Sequence, residues 1–110
     1  MATPFCIITT TVPDRAAAKV LGELLVREKL AACVQISDIE SIYHWEETLH
    51  CDSECRLTIK TRHSMFKTVE RAILQNHPYK VPQIVMVQID EVSQGYGAWI
   101  DEETERFMGR

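Results

Sequence analysis

The stretch from Leu30 to Arg62 reads LAACVQISDIESIYHWEETLHCDSECRLTIKTR, and its reading decides the fold. The first half is rich in β-branched and aromatic residues, the second alternates apolar with polar ones, and they meet at a polar turn around Glu46, Glu47 and Thr48, the pattern of one long hairpin. Cys55, Leu57 and Ile59 alternate with Arg56, Thr58 and Lys60, as in a half-buried antiparallel strand. In the first half, Val34 and Ile36 fall on even positions whereas Ile39, Tyr43 and Trp45 fall on odd ones. That change of phase predicts a bulge or bend at Ser37 and Asp38. Arms of about 15 residues at roughly 3.3 Å per residue reach roughly 50 Å. A compact chain of this size has a radius of gyration of only about 13 Å. The hairpin is therefore expected to bend sharply or to project beyond its own domain, where its edges invite pairing with another chain.

Outward from the hairpin, Phe5–Val12 is apolar on both faces at Phe5, Cys6, Ile7 and Ile8 and predicts a central strand. Pro13 ends it, and Asp14 is placed to cap a helix from Arg15 to Lys29 whose apolar stripe is Ala17, Val20, Leu21, Leu24 and Leu25. After the hairpin, Ser64 is placed to cap a second helix with Phe66, Val69, Ala72 and Ile73 inward, ending before Pro78. Ile84–Ile89 predicts a fourth strand, and Tyr96, Trp99, Ile100 and Phe107 a short C-terminal helix. The order β-α-β-β-α-β is that of a ferredoxin-like α+β sandwich. Two helices cover one face of such a sheet, yet Phe5–Ile8 and Ile84–Ile89 are apolar on both faces. The simplest cover for the second face is another copy of the chain.

The 110 residues make one domain, 1–110, with an ordinary hydrophobic content of 45%. Sixteen acidic against twelve basic residues give a formal charge of −4, and no Lys/Arg cluster follows a phosphate backbone, which argues against nucleic acid as a partner. No apolar run reaches transmembrane length, and Met1–Val12 lacks the basic start of a signal peptide, so no membrane association and a cytoplasmic location are expected. Cys6, Cys33, Cys51 and Cys55 are then expected as thiols. His50-Cys51 with Cys55 looks like a metal clip, but on an extended strand the two sulfurs sit roughly 13 Å apart, which favours two small residues sharing one face.

Several segments together resemble the CutA divalent-cation tolerance proteins. They are Thr11-Val12-Pro13-Asp14, Lys29 to Cys33, Ser41 to Glu46, Ile59-Lys60-Thr61, and His77 to Pro82. The resemblance covers nearly the whole chain and implies a tight homotrimer of ferredoxin-like protomers with sheets inward and helices outward. It also implies a role in divalent metal tolerance, with Cu(II) or another divalent cation as the associated ligand, and a trimeric plan shared with the PII signalling proteins. Other CutA proteins carry a cysteine where this chain has Thr10, a histidine where it has Asn76 and often a glutamate where it has Gln83, leaving His77 as the retained metal-binding position.

His77 lies between helix and strand in a segment that Pro78 and Pro82 stiffen, which suits a binding loop. Its imidazole is the candidate metal ligand, and the competing reading gives it a backbone hydrogen bond in a proline-shaped turn. Cys33 is a second candidate for metal or redox chemistry, set against a core role for a cysteine on an apolar strand. Tyr43, Trp45, Glu46, Lys60 and Tyr79 are the candidates for a ligand pocket or an interface between subunits, where a small molecule or a metal would bind. No paired acid and base stands at motif spacing, so a non-enzymatic protein is expected, with a PII-like small-ligand sensor and an enzyme using Cys33 or His77 as the alternatives.

Overall fold

The computed structural model describes residues 3–104. Phe5–Val12 forms β1, as expected from its bilateral hydrophobicity. The helix α1 spans Arg15–Arg27, opened by Asp14, whose carboxylate accepts the Ala17 N–H at 2.8 Å. It ends in a Schellman closure: Lys29 takes φ 61°, the Leu30 N–H bonds the Leu25 carbonyl at 2.9 Å, and the Lys29 N–H bonds that of Val26 at 3.0 Å. Ala18, Leu21, Gly22 and Leu25 are its buried residues. Val20, expected in that stripe, is instead 68% exposed, because two positions past Ala18 lies roughly 200° around the helix.

The strands β2 (Cys33–Trp45) and β3 (Thr48–Arg62) pair without interruption from Cys33↔Lys60 to Trp45↔Thr48. Ser37 and Asp38 sit in line opposite Arg56 and Cys55, so the expected bulge is absent. The change of phase has another cause. Val34 and Ile36 pack into the core beside α1, whereas past Asp38, which pairs with Arg15 at the start of α1, the strand leaves the helical layer. Ile39, Tyr43 and Trp45 then lie on the other face, while Ile42 keeps to the helix side. The turn is two residues long, with Glu46 and Glu47 at φ 50° and 65°, the positive values of a type I′ hairpin.

After a 3-10 turn at His63–Met65 the chain enters α2 (Phe66–Gln75). Ser64 lies inside that turn instead of capping the helix, and the position before α2 is Met65, with no side-chain cap. The strand β4 is Val85–Gln88, shorter than Ile84–Ile89, and pairs with β1 from Cys6↔Gln88 to Thr9↔Val85. The sheet order is β2-β3-β1-β4, antiparallel throughout, the ferredoxin-like arrangement. One face, carrying Cys6, Ile8 and Val12 of β1 with Leu57 and Ile59 of β3, packs on Ala18, Leu21 and Leu25 of α1 and Val69 and Ile73 of α2.

A third helix, α3 (Gln94–Glu103), starts at Ser93, whose hydroxyl accepts the Tyr96 N–H. It shelters one end of the second face, where Ile100 joins Phe5, Ala32, Ile89 and Val92 in a small separate core. A Cβ on Gly97 would lie 3.0 Å from the Phe5 ring and 3.3 Å from Val92, so bare backbone lets the helix approach without displacing either side chain. Arg62 fastens α3 by donating to the Thr104 hydroxyl at 3.0 Å and the Asp101 carbonyl at 2.9 Å. Phe107, expected on this helix, lies outside the described residues. The remainder of the face stays open, with Val85 and Val87 of β4 at 47% and 54% exposure.

β1 reaches β3 from Cys55 to Arg62, so among the described residues Ile39–Trp45 and Thr48–Glu54 have only each other as strand partners. This two-stranded arm gives the molecule a long axis of 47 Å against 28 and 21 Å, and a radius of gyration of 14.7 Å. Ile42 and Leu49, both 72% exposed, lie on its helix-side face, with Tyr43 and Trp45 on the other.

A candidate ligand cleft beside the arm

The segment between α2 and β4 is strapped onto the sheet by side chains, since its two prolines lack amide protons. His77 Nδ1 accepts the Tyr79 N–H at 3.1 Å. Its proton therefore sits on Nε2, which donates to the Thr11 carbonyl at 2.6 Å. Both ring nitrogens are thus engaged with backbone. The Gln83 amide donates to the Thr9 hydroxyl at 3.3 Å, and the Tyr79 phenol donates to Glu54 at the base of the arm at 2.7 Å.

Between this strap and the arm lies a cleft of about 460 Å³, walled by Tyr43, Trp45 and Glu54 on one side and by Pro78, Tyr79, Lys80 and Val81 on the other. Tyr43 is fixed by the ladder: it stands opposite His50 and stacks on that ring at 5.1 Å and 11°. Its phenol donates to Asp52, two residues further along β3. Burial, then the bond to Glu54, pushes the Tyr79 phenol above its ordinary range, and the bond to Asp52 does the same to Tyr43. At neutral pH both phenols remain proton donors to carboxylates.

The cleft thus gathers Tyr43, Trp45 and Tyr79 from the expected set and adds Glu54, while Asp52 holds Tyr43 from beside it. Glu46 stays in the exposed turn. Lys60 stands opposite Cys33 with its ammonium 5.3 Å from the Tyr96 ring. It lies ten residues along β3 from His50, roughly 33 Å away at strand spacing. Cys33 is half-buried on the open face, opposite Lys60 and away from His77. Cys51 and Cys55 share one side of the unbroken β3, and Cys55 donates its thiol proton to Asp38 at 3.4 Å. Among the described residues no three His, Cys, Asp or Glu side chains come together as a metal-holding group. Glu54 and Asp52 went unnoticed in the sequence. The signal for Asp52 was available, since a two-residue turn at Glu46 and Glu47 fixes its diagonal position to Tyr43.

A four-stranded antiparallel sheet with two helices on one face, a third across an end of the other, and an arm walling a cleft make up, among the described residues, a ferredoxin-like α+β protein. No helix among the described residues is long and apolar enough to cross a membrane. Residues 6–103 match the CutA1 divalent ion tolerance protein family, and the chain belongs to it. It is 41% identical over 102 residues to the chloroplastic protein CutA of Arabidopsis thaliana, covering 92% of this chain and 56% of that longer protein. It is 33% identical over 100 residues to the divalent-cation tolerance protein CutA of Pyrococcus horikoshii, covering 91% and 98%. Among solved structures, the periplasmic divalent cation tolerance protein CutA of Archaeoglobus fulgidus superposes with a TM-score of 0.90 at 32% identity, covering 92% of this chain and 99% of that one. CutA1 of Oryza sativa does so with a TM-score of 0.90 at 36% identity, covering 96% and 97%.

Proposed function

We propose that the chain acts in divalent metal tolerance as a non-enzymatic homotrimer whose clefts, at or beside the contacts between copies, respond to a small ligand. The observation that carries this reading is the arm. A two-stranded ribbon is marginal in water by itself, and this one exposes Ile42 and Leu49 on one face and Tyr43 and Trp45 on the other. Val85 and Val87 add apolar surface on the open face of the sheet. Sister copies of the chain would cover Ile42, Leu49 and the valines, as closed symmetry allows, with Tyr43 and Trp45 at the edge of the contact where the cleft opens. The raised phenols of Tyr43 and Tyr79 support a binding role over catalysis, because groups poised for proton transfer are tuned towards neutral pH and these are tuned away from it. Four free thiols support a reducing compartment, which we take to be the cytoplasm.

Light scattering on serial dilution tests the assembly: a trimer is expected at every concentration at which the chain is folded, and a folded monomer would refute it. For the metal part of the reading, His77 is the candidate copper ligand and would exchange one of its two backbone bonds for the ion. Cys33 offers a thiol as the second candidate. Copper titration by calorimetry of wild type and His77→Ala is expected to give weaker binding in the variant, and identical isotherms would remove His77 from the metal role.

A further inference from the structure

We propose that the cleft beside the arm takes a small organic ammonium ion. Resting on the ligand-responsive reading above, this names the chemistry of the ligand. Three aromatic side chains, Tyr43, Trp45 and Tyr79, line the cavity, and aromatic faces attract cations. Glu54 lies among them with Oε2 taken by the Tyr79 phenol, which leaves Oε1 to a ligand among the described residues. Asp52 stands beside it, held by Tyr43. The surrounding charge agrees. From Leu30 to Cys55 the chain carries six acidic residues, Asp38, Glu40, Glu46, Glu47, Asp52 and Glu54, and neither Lys nor Arg. That excess is larger than the net −4 of the whole chain, so the field at the arm favours a cation and disfavours an anion.

Two other ligand classes fit less well. A hard divalent cation needs about six oxygen ligands, mostly charged or carbonyl, and the carboxylate lining this wall is that of Glu54, beside the neutral side chains of Thr11, Gln83 and the three rings. A neutral apolar ligand would strip water from the Glu54 carboxylate and give nothing in return. Lys80 is the cation that lines the cavity, and it is exposed, so its stem can lie along the wall with its ammonium in water. The volume of about 460 Å³ is that of a site for a compact molecule.

Calorimetry on the full chain with choline and with 3,3-dimethylbutan-1-ol, its uncharged isostere, tests the assignment. Choline is expected to bind at least about tenfold more tightly than the alcohol. Glu54→Gln, which keeps an acceptor for Tyr79, should abolish that preference, whereas Tyr79→Phe, which keeps the ring, should change choline affinity by less than about threefold. Equal affinity for the two probes would overturn the ammonium assignment and leave a ligand cleft in place. Choline binding unchanged by Glu54→Gln would overturn it too, as would the absence of choline binding at millimolar concentration. Copper chloride that binds through Glu54 where choline does not would put a metal in its place. The trimer is judged separately, by dilution, so failure of one reading does not hide failure of the other.

Discussion

Thr10 and Thr61 lie on adjacent strands on the helix-covered side of the sheet, and both are fully buried. The Thr61 hydroxyl donates to the Leu30 carbonyl at 2.7 Å, at the entry to the hairpin. The Thr10 hydroxyl has no hydrogen-bond partner among the described residues. Replacing either by valine exchanges a hydroxyl for a methyl group and keeps the β-branch. A buried polar group left unpaired costs about 1–3 kcal/mol, and a made hydrogen bond contributes about 0.5–1.5 kcal/mol. Thr10→Val is therefore expected to stabilise the fold by about 1–2 kcal/mol, and Thr61→Val to destabilise it by about 1–2 kcal/mol. The gap of about 3 kcal/mol would separate the two urea midpoints by on the order of 1.5 M. Both should be measured at one protein concentration, because the proposed trimer would make stability concentration-dependent. If Thr10→Val loses as much stability as Thr61→Val, the Thr10 hydroxyl is satisfied in the folded protein, by an enclosed water for example, and the reasoning fails.

Three further outcomes are expected. The double substitution Glu46→Asn, Glu47→Gly places residues suited to positive φ in the hairpin turn and should raise stability by about 1 kcal/mol in urea unfolding, with no gain counting against the type I′ assignment. Gly97→Ala sets a methyl group against Phe5 and should cost about 1–3 kcal/mol in urea unfolding; unchanged stability would mean that α3 does not rest on that ring. Burial pushes the Cys6 thiol up from 9.0 to about 11, so above pH 9 the unfolded chain gives up a proton that the folded one keeps. Stability should be full below about pH 9 and decline towards pH 11, and Cys6→Ala should flatten the first part of that decline, before Tyr79 contributes in the same direction; an unchanged slope would refute the assignment.

Periodicity was enough for what lies along a single strand or helix. β1 has the bounds that its apolar run implies, and Asp14 caps α1 as its position suggests. It misled wherever an apolar pattern had two causes. The switch at Ser37 marks the end of the helical layer and not a bulge, and Val20 fits a helical stripe while lying outside it. Ser64 shows the same limit at a helix start, where a 3-10 turn intervenes. Tyr43 and Trp45 stood out because they are aromatic residues on one face of a legible hairpin. Glu54 did not, because its contact with Tyr79 spans 25 residues and depends on the strap folding back over the end of β1. Cross-strand pairing within one chain does not bring Lys60 to the aromatic pair, because the length of the ladder puts it at the other end of β3.

The uninterrupted pairing of β2 with β3 also limits which insertions and deletions the arm can accept. Losing or gaining one residue anywhere between Ile36 and Tyr43 would rotate both aromatic rings to the opposite surface, because side chains alternate with a period of two. Length could change freely only beyond Trp45, at the tip, where added residues leave everything nearer the body in phase.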